Sequence, residues 1–393
     1  MRVLVLGGDG YLGWPTAMHF SARGDDVAVV DNFAKRQWEM EEGIEPLLPI
    51  PPLHKRVRAW QRVSGREIGL YVGDLMNHRF VYKVLREFQP DAVVHYGEQP
   101  SAPYSMQNRT TAVDTQINNI VGTLNLLFGM RSHCRDAHLI KLGTMGEYGT
   151  PNIDIEEGWL EVEHNGRKDR MLYPKKPGSF YHLSKVHDSH NVEFACRIWG
   201  CAATDLNQGV VYGVDTEETK ADPDLATSFH YDQVFGTVLN RFLVQAAIGE
   251  PLSVYGKGGQ TRGFLNIRDT LKCVELAADN PAAAGEFRVL NQFTEQFSVL
   301  DLANRVQAVA KAAGHDTTIV NTPNPRVELE EHYYNARHSG LVELGLEPHL
   351  LDDDALGKMF ATVSANVGSV DRNALAPTIL WARDSRACLC PVP

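Results

Sequence analysis

Apolar residues in the first half of the chain follow two rhythms. Short runs of valine, isoleucine and leucine occupy 2–6, 27–30, 68–72, 91–96 and 138–142, and a sixth run with its turn occupies 203–213. Continuous apolar runs of this length predict strands buried on both faces. Between them, helical spacing covers 14–24, 80–88, 113–131 and 181–199. Strands and helices in alternation predict an α/β fold, a Rossmann-type doubly wound parallel sheet. Past 213 the pattern loosens. Helices are expected over 235–249, 267–279 and 299–313, with short strands over 252–255 and 287–290, the last rejoining the first sheet. The segment 32–61, rich in charge and proline, reads as a long insertion or a loop with a short helix. The polar stretch 158–178 reads as a surface hairpin or flap. The resulting division is a Rossmann-type domain over 1–213, completed by parts of 230–292, and a smaller α/β lobe with a C-terminal tail over most of 214–393.

The turn after the first strand carries the densest chemistry. Gly7, Gly10 and Gly13 stand three apart between a strand and a helix. In a dinucleotide fold the first glycine permits the tight turn, the second lets backbone approach a pyrophosphate, and the third lets helix pack on strand. The phosphates then sit at the positive helix end. The second strand ends in Asp31, about 20 residues on, where an acid takes the ribose hydroxyls and selects NAD over NADP. Asp74, Glu98 and Thr144 fall at later strand ends, where doubly wound sheets bind ligands. Tyr181 and Lys185, four apart, share one helix face. A tyrosine is too weak an acid to serve as a base at neutral pH, and a neighbouring ammonium favours its phenolate. Arg262 and Arg326 stand in polar turns as candidates for holding a diphosphate. Taken singly, each is as readily a surface arginine.

Charge and composition narrow the partners. The net charge of −11 over 393 residues argues against nucleic acid and against an anionic membrane surface. No apolar run approaches the roughly 20 residues of a membrane span. The first strand begins at residue 2, so no secretory leader is expected. Six cysteines without paired spacing fit a reducing compartment, so a cytoplasmic location is expected. Cys388 and Cys390 are read as unremarkable tail thiols rather than metal ligands.

The glycine spacing, Asp31, Asp74, Thr144 and the Tyr181-x-x-x-Lys185 pair resemble the extended short-chain dehydrogenase/reductases that remodel nucleotide sugars. The resemblance runs from residue 1 to about 350. Four longer stretches (141–155, 180–190, 205–213 and 255–263) are similar to a branch that joins sulfite to UDP-glucose. The resemblance implies a tightly held NAD, UDP-glucose or a related sugar nucleotide as substrate, and sulfite or a sulfite donor protein as second partner. It implies a homodimer through 113–128 and 186–199, and no metal. Besides the glycines, Asp31, Asp74, Tyr181 and Lys185, it implies cofactor contacts from Asp9, Tyr11, Leu12, Asn32, Arg36, Leu75, Gly97, Glu98, Asn118, Gln208 and Val211. For the sugar nucleotide it implies Gln99, Thr144, Asn207, Gln260, Thr261, Arg262, Arg326 and Glu328.

In the reaction so implied, Tyr181 takes the carbon-4 hydroxyl proton as hydride leaves, Lys185 assists, and Thr144 orients the sugar. The wider family's 4,6-dehydratases carry an Asp-Glu pair after the threonine. Here Met145 and Gly146 stand there and the acid follows as Glu147. Glu147 and His182 are the candidates for moving protons at carbons 5 and 6. Met145 either belongs with them or packs against cofactor or sugar. The branch pattern has arginine where this chain has Pro100, and tyrosine and histidine where it has Asp114 and Ile117. These departures keep open a 4-epimerase or 5,6-dehydratase that works without sulfite. A non-catalytic NAD-binding regulator would be expected to lose Thr144, Tyr181 and Lys185, which are all present.

Overall fold

The computed structural model describes residues 1–329 and 332–381; Cys388 and Cys390 lie outside them. The first half alternates as expected: β1 Arg2–Leu6, α1 Gly13–Arg23, β2 Asp26–Asp31, α2 Ala34–Glu42, α3 Leu53–Ser64, β3 Ile68–Val72, α4 His78–Phe88, β4 Ala92–His95, α5 Ala102–Ser105, α6 Arg109–His133 and β5 His138–Thr144. A hairpin of β6 Trp159–His164 and β7 Arg167–Leu172 precedes α7 Phe180–Trp199, β8 Ala202–Gln208 and β9 Val210–Tyr212. Then follow α8 Val238–Ala247, β10 Leu252–Tyr255, β11 Thr261–Asn266, α9 Ile267–Asp279, β12 Phe287–Gln292, β13 Glu295–Ser298, α10 Val299–Ala312, β14 Ile319–Thr322, α11 Gly340–Glu343 and α12 Asp353–Ala365.

Among the described residues, one seven-stranded sheet runs in the order β12-β8-β5-β4-β1-β2-β3. All its pairings are parallel. Its strands read as apolar runs because helices cover both faces: Val3 to Leu6, Val27 to Val30 and Val93 to Val94 are all buried. The order reverses between β1 and β4, so the crevice for a ligand opens there. β12 returns from far along the chain to pair with β8. A second core forms around α8, α10 and α12, with Phe242, Leu243, Leu302, Val306 and Phe360 buried in it. Between the cores lies a small sheet of β13, β11 and β9.

Two sequence expectations change here. The segment 32–61 holds two helices, α2 and α3, rather than a loop with a short helix. Proline 52 starts α3, which buries Leu53, Arg56, Ala59 and Trp60. Trp60 donates to Ser21 on α1 at 2.9 Å. The run 203–213 splits: β8 stays in the main sheet, while β9 leaves it to pair with β11. Gly209 sits at that break, where a Cβ would lie 2.5 Å from the Gly263 oxygen.

The far half of the sheet is tied to α7 by buried charge. Lys141 on β5 reaches Asp205 on β8 at 3.2 Å and Glu147 at 3.6 Å. Lys175 meets Glu147 at 2.5 Å, and Ser189 of α7 donates to Glu147 and Asp205 at 3.0 and 2.7 Å. Lys141, Glu147 and Asp205 are wholly buried. Burial alone would raise the Glu147 carboxyl, but Lys175 and Lys141 outweigh it and hold it down to about 2. Glu147, a proton-carrier candidate in sequence, is thus held as a carboxylate. It has no exposed surface and two ammonium partners. Removing one partner from such a set costs about 3 kcal/mol or more, so Glu147→Gln is expected to lower the urea midpoint markedly. Because the folded value lies below the ordinary 4.5, the contribution is full above that pH and fades as pH falls toward about 2. Urea unfolding of wild type and Glu147→Gln should therefore converge between neutral pH and pH about 3.

Candidate active site

A cavity of about 610 Å³ opens at the β1/β4 reversal. The glycine turn forms its floor. A Cβ on Gly13 would lie 2.0 Å from the Gly7 oxygen, and one on Gly7, whose φ is +84°, would lie 2.8 Å from the Tyr96 carbonyl carbon. Only glycine lets α1 begin this close to β1. Its first turn carries no acid, leaving the positive helix end free for phosphate. At the ends of β2 and β3, Asp31 and Asp74 line the wall, and Asn32 donates to Asp74 at 3.2 Å. Asp31 accepts from the Asp9 and Phe33 amides at 2.8 and 2.7 Å. Burial nonetheless raises its carboxyl above the usual range.

Most residues expected at the cofactor share this wall: Gly7, Asp9, Gly10, Tyr11, Leu12, Gly13, Asp31, Asn32, Arg36, Asp74, Leu75, Gly97, Glu98, Asn118, Tyr181, Gln208 and Val211. Lys185 stands behind it, almost fully buried. Asp9 and Arg36 face each other at 2.5 Å, and Arg56, entirely buried on α3, takes the other Asp9 oxygen at 2.5 Å. Sequence reasoning missed Arg56, since nothing local marks an arginine as buried. It also missed Lys35, Trp38, Glu39, Ile50, Ser228 and Thr237 on the same wall. The proline run from 46 to 52 was the available signal.

Ser179 caps α7, accepting from the His182 amide at 3.1 Å, and so sets Tyr181 in the first turn. The Tyr181 amide donates to Ser105 at 3.0 Å. Lys185 lies 5.9 Å from the Tyr181 ring centre and donates to the Leu142 carbonyl at 2.6 Å. Its ammonium pairs with Glu98 at 2.8 Å. Burial would lower Lys185, but Glu98 and Tyr181 reverse that and hold it charged. Burial raises Tyr181, and Lys185 opposes the rise. His182 is pushed by burial down to about 3 and stays neutral, with Nδ1 3.0 Å from Ser179 Oγ. Its Nε2 faces Gly146, where a Cβ would lie 2.3 Å away. Thr144 ends β5 and caps the turn Met145–Glu147, accepting from the Gly146 amide at 3.2 Å.

Several expected residues stand elsewhere. Met145 is buried among Tyr148, Ile155, Tyr173, Phe293 and Ala336, so it packs within the protein and has no proton to move. Asn207 is wholly buried and donates to the Tyr148 hydroxyl at 2.7 Å, away from the cavity wall. Gln99 and Gln260 are also interior, Gln260 donating to the Tyr255 carbonyl. Thr261 begins β11 and bonds the Gly259 carbonyl. The Arg262 guanidinium is engaged by Glu328 at 2.5 Å and His332 at 2.9 Å. Arg326 lies over the Trp381 ring at 5.2 Å. These second-lobe groups neighbour one another and lie off the dinucleotide cavity.

A family model described as the NAD dependent epimerase/dehydratase family matches residues 3–291. The chloroplastic UDP-sulfoquinovose synthase of Spinacia oleracea is 56% identical over 97% of this chain and 79% of that protein. The UDP-sulfoquinovose synthase of Sulfolobus acidocaldarius is 44% identical over 88% of each chain. Among solved structures, the UDP-glucose 4-epimerase of Bifidobacterium longum, in complex with NAD+ and UDP, aligns at a TM-score of 0.68. It covers 93% of this chain and 100% of its own, at 21% identity, and so speaks for the fold. The chain belongs to the NAD-dependent epimerase/dehydratase family and, within it, to the UDP-sulfoquinovose synthases.

Proposed function

We propose that the protein converts UDP-glucose and sulfite into UDP-sulfoquinovose. The observation that carries this is the 56% identity to the spinach synthase along nearly the whole chain. The site supports it by placing Tyr181 on the wall of the dinucleotide cavity with Lys185 directly behind. Residues 1–213, with α9 and β12, hold the dinucleotide; most of 214–381 holds the sugar nucleotide. The bared glycine turn and Asp31 fit NAD, with Asp74 and Asn32 toward its adenosine. The chemistry that bound NAD supplies is a reversible oxidation at carbon 4 of the sugar.

Tyr181, as phenolate, accepts the carbon-4 hydroxyl proton, and the Lys185 charge favours that phenolate. Thr144 orients the sugar. A carbonyl at carbon 4 acidifies the carbon-5 proton, so carbon 6 loses water and hydrogen sulfite adds to the alkene. Return of hydride and proton to carbon 4 restores its hydroxyl, so UDP-glucose plus hydrogen sulfite gives the sulfonate plus water. Neutral His182, beside Thr144 through Gly146, moves the proton in these steps. Arg262, Arg326, Glu328 and Thr261 form the second-lobe face toward the nucleotide, with Gln260 behind it. Gln99 and Asn207 support the walls from behind. Sulfite arrives free or from a donor protein.

Ile117, Val121 and Phe128 on α6 and Phe194 and Ile198 on α7 are exposed apolar residues. We assign them to a homodimer interface. Among the described residues no helix is long and apolar enough to cross a membrane. The thiols of Cys134, Cys196, Cys201 and Cys273 are unpaired, in keeping with a reducing, cytoplasmic setting.

Mass spectrometry of UDP-glucose incubated with the protein should show a sulfonated product only when sulfite is present. An isomer, or a product lighter by water regardless of sulfite, would instead favour the epimerase or dehydratase that Pro100 on the cavity wall keeps in view. Tyr181→Phe should cut turnover by about 100-fold or more, measured under saturating substrate. Light scattering should report a dimer for wild type and a monomer for Phe194→Lys.

A further inference from the structure

The segment 43–52 joins α2 to α3, both first-half helices, yet its middle belongs to the other core. Leu47 is wholly buried in the second core, in one cluster with Phe229, Leu239, Phe242 and Leu243. Its amide donates to the Phe229 carbonyl at 2.9 Å. Ile44, three residues earlier, is buried with Tyr104 and Val234. On either side of Leu47, Glu45, Pro46, Pro49 and Ile50 line the dinucleotide cavity. The returning end is fastened to the first half. Arg36 donates to the Ile50 and Pro51 carbonyls at 3.2 and 2.8 Å and holds Asp9 of the glycine turn with the same guanidinium.

This strap is stiff. Pro46, Pro49, Pro51 and Pro52 lock their own φ angles and restrain the residue before each. It cannot yield one residue at a time. It moves as a unit, when Leu47 leaves its seat and Arg36 releases the two carbonyls. The seat is made of protein side chains in the second core, so its strength does not depend on what fills the cavity.

We propose that 43–52 is a gate on the cofactor: while Leu47 is seated in the second core, the strap bars the dinucleotide from entering or leaving. The inference rests on this cavity holding NAD. A gate has a chemical purpose in a reaction without net oxidation. Hydride taken from carbon 4 has to return to carbon 4, so a cofactor lost between the two steps would leave the sugar oxidised. A gate also differs from a contact in its kinetics. Losing a group that touches the cofactor lowers affinity and speeds release alone. Loosening the Leu47 seat opens the passage in both directions, so association and release accelerate together and Kd holds.

The test follows NAD alone, with no sugar nucleotide present, so its outcome is independent of which sugar the enzyme turns over. Replacement of bound NAD by isotope-labelled NAD, read by mass spectrometry, gives the release rate; tryptophan fluorescence on mixing gives the association rate. Leu47→Ala should raise both by about 10-fold or more, with Kd within about twofold of wild type. Leu47→Met, which keeps the seat filled, should exchange at close to the wild-type rate. Unchanged rates in Leu47→Ala would overturn the proposal, as would faster release without faster association. If Leu47→Ala fails to fold, the wild type decides. Hydrogen exchange at the Leu47 amide, at a pH where each opening exchanges it, should be at least as fast as NAD release. NAD that leaves faster than this amide opens has passed a closed strap, and the gate falls. A protein that holds no NAD would overturn the reading of the cavity itself, a result distinct from ungated exchange.

Discussion

Charge buried where the sheet meets α7 is the constraint on which the site depends. Lys141, Glu147, Lys175 and Asp205 lie in the interior, and each would be costly alone. Together they neutralise one another, with Ser189 bridging two of the carboxylates. The consequence is geometric. β5, β8 and α7 cannot slide past one another without separating opposite charges in a dry medium. Tyr181 and Lys185, in the first turns of α7, therefore hold a fixed place at the end of β5, where Lys185 donates to the Leu142 carbonyl.

The glycine turn is held from the other side by an analogous device. Asp9 would place a negative charge where a pyrophosphate belongs. Arg36 of α2 and Arg56 of α3 cancel it, and Arg56 does so without exposure. The insertion after β2 is thus part of the dinucleotide site rather than an ornament on it. It lays Lys35, Trp38 and Glu39 along the same wall. The sheet supplies the floor, and α2 and α3 decide how enclosed the cavity becomes.

The catalytic end joins polar chemistry to a closely packed frame. Gly146 leaves room for the His182 ring, and Gly13 leaves room for the turn beneath α1. A neutral histidine and a charged lysine sit one turn apart on α7 because their surroundings differ. His182 meets Ser179, whereas Lys185 meets a carboxylate. The same burial thus drives one group to its uncharged form and leaves the other charged.

Periodicity alone was sufficient for the parallel sheet, since strands buried on both faces read as unbroken apolar runs. The glycine spacing, Asp31 and the Tyr181–Lys185 pair were legible because each depends on contacts within a turn or along one helix face. Glu147, Met145, Asn207 and Arg262 look as functional in sequence as Thr144 does. Their surroundings come from segments far apart in the chain: Lys175 for Glu147, Tyr148 for Asn207, Glu328 for Arg262. Residue type and spacing determined which elements form and which cofactor class they suit. Only the tertiary structure decided which charges are neutralised and which remain available, because burial and long-range pairing set the cost of a charge and neither is a property of local sequence.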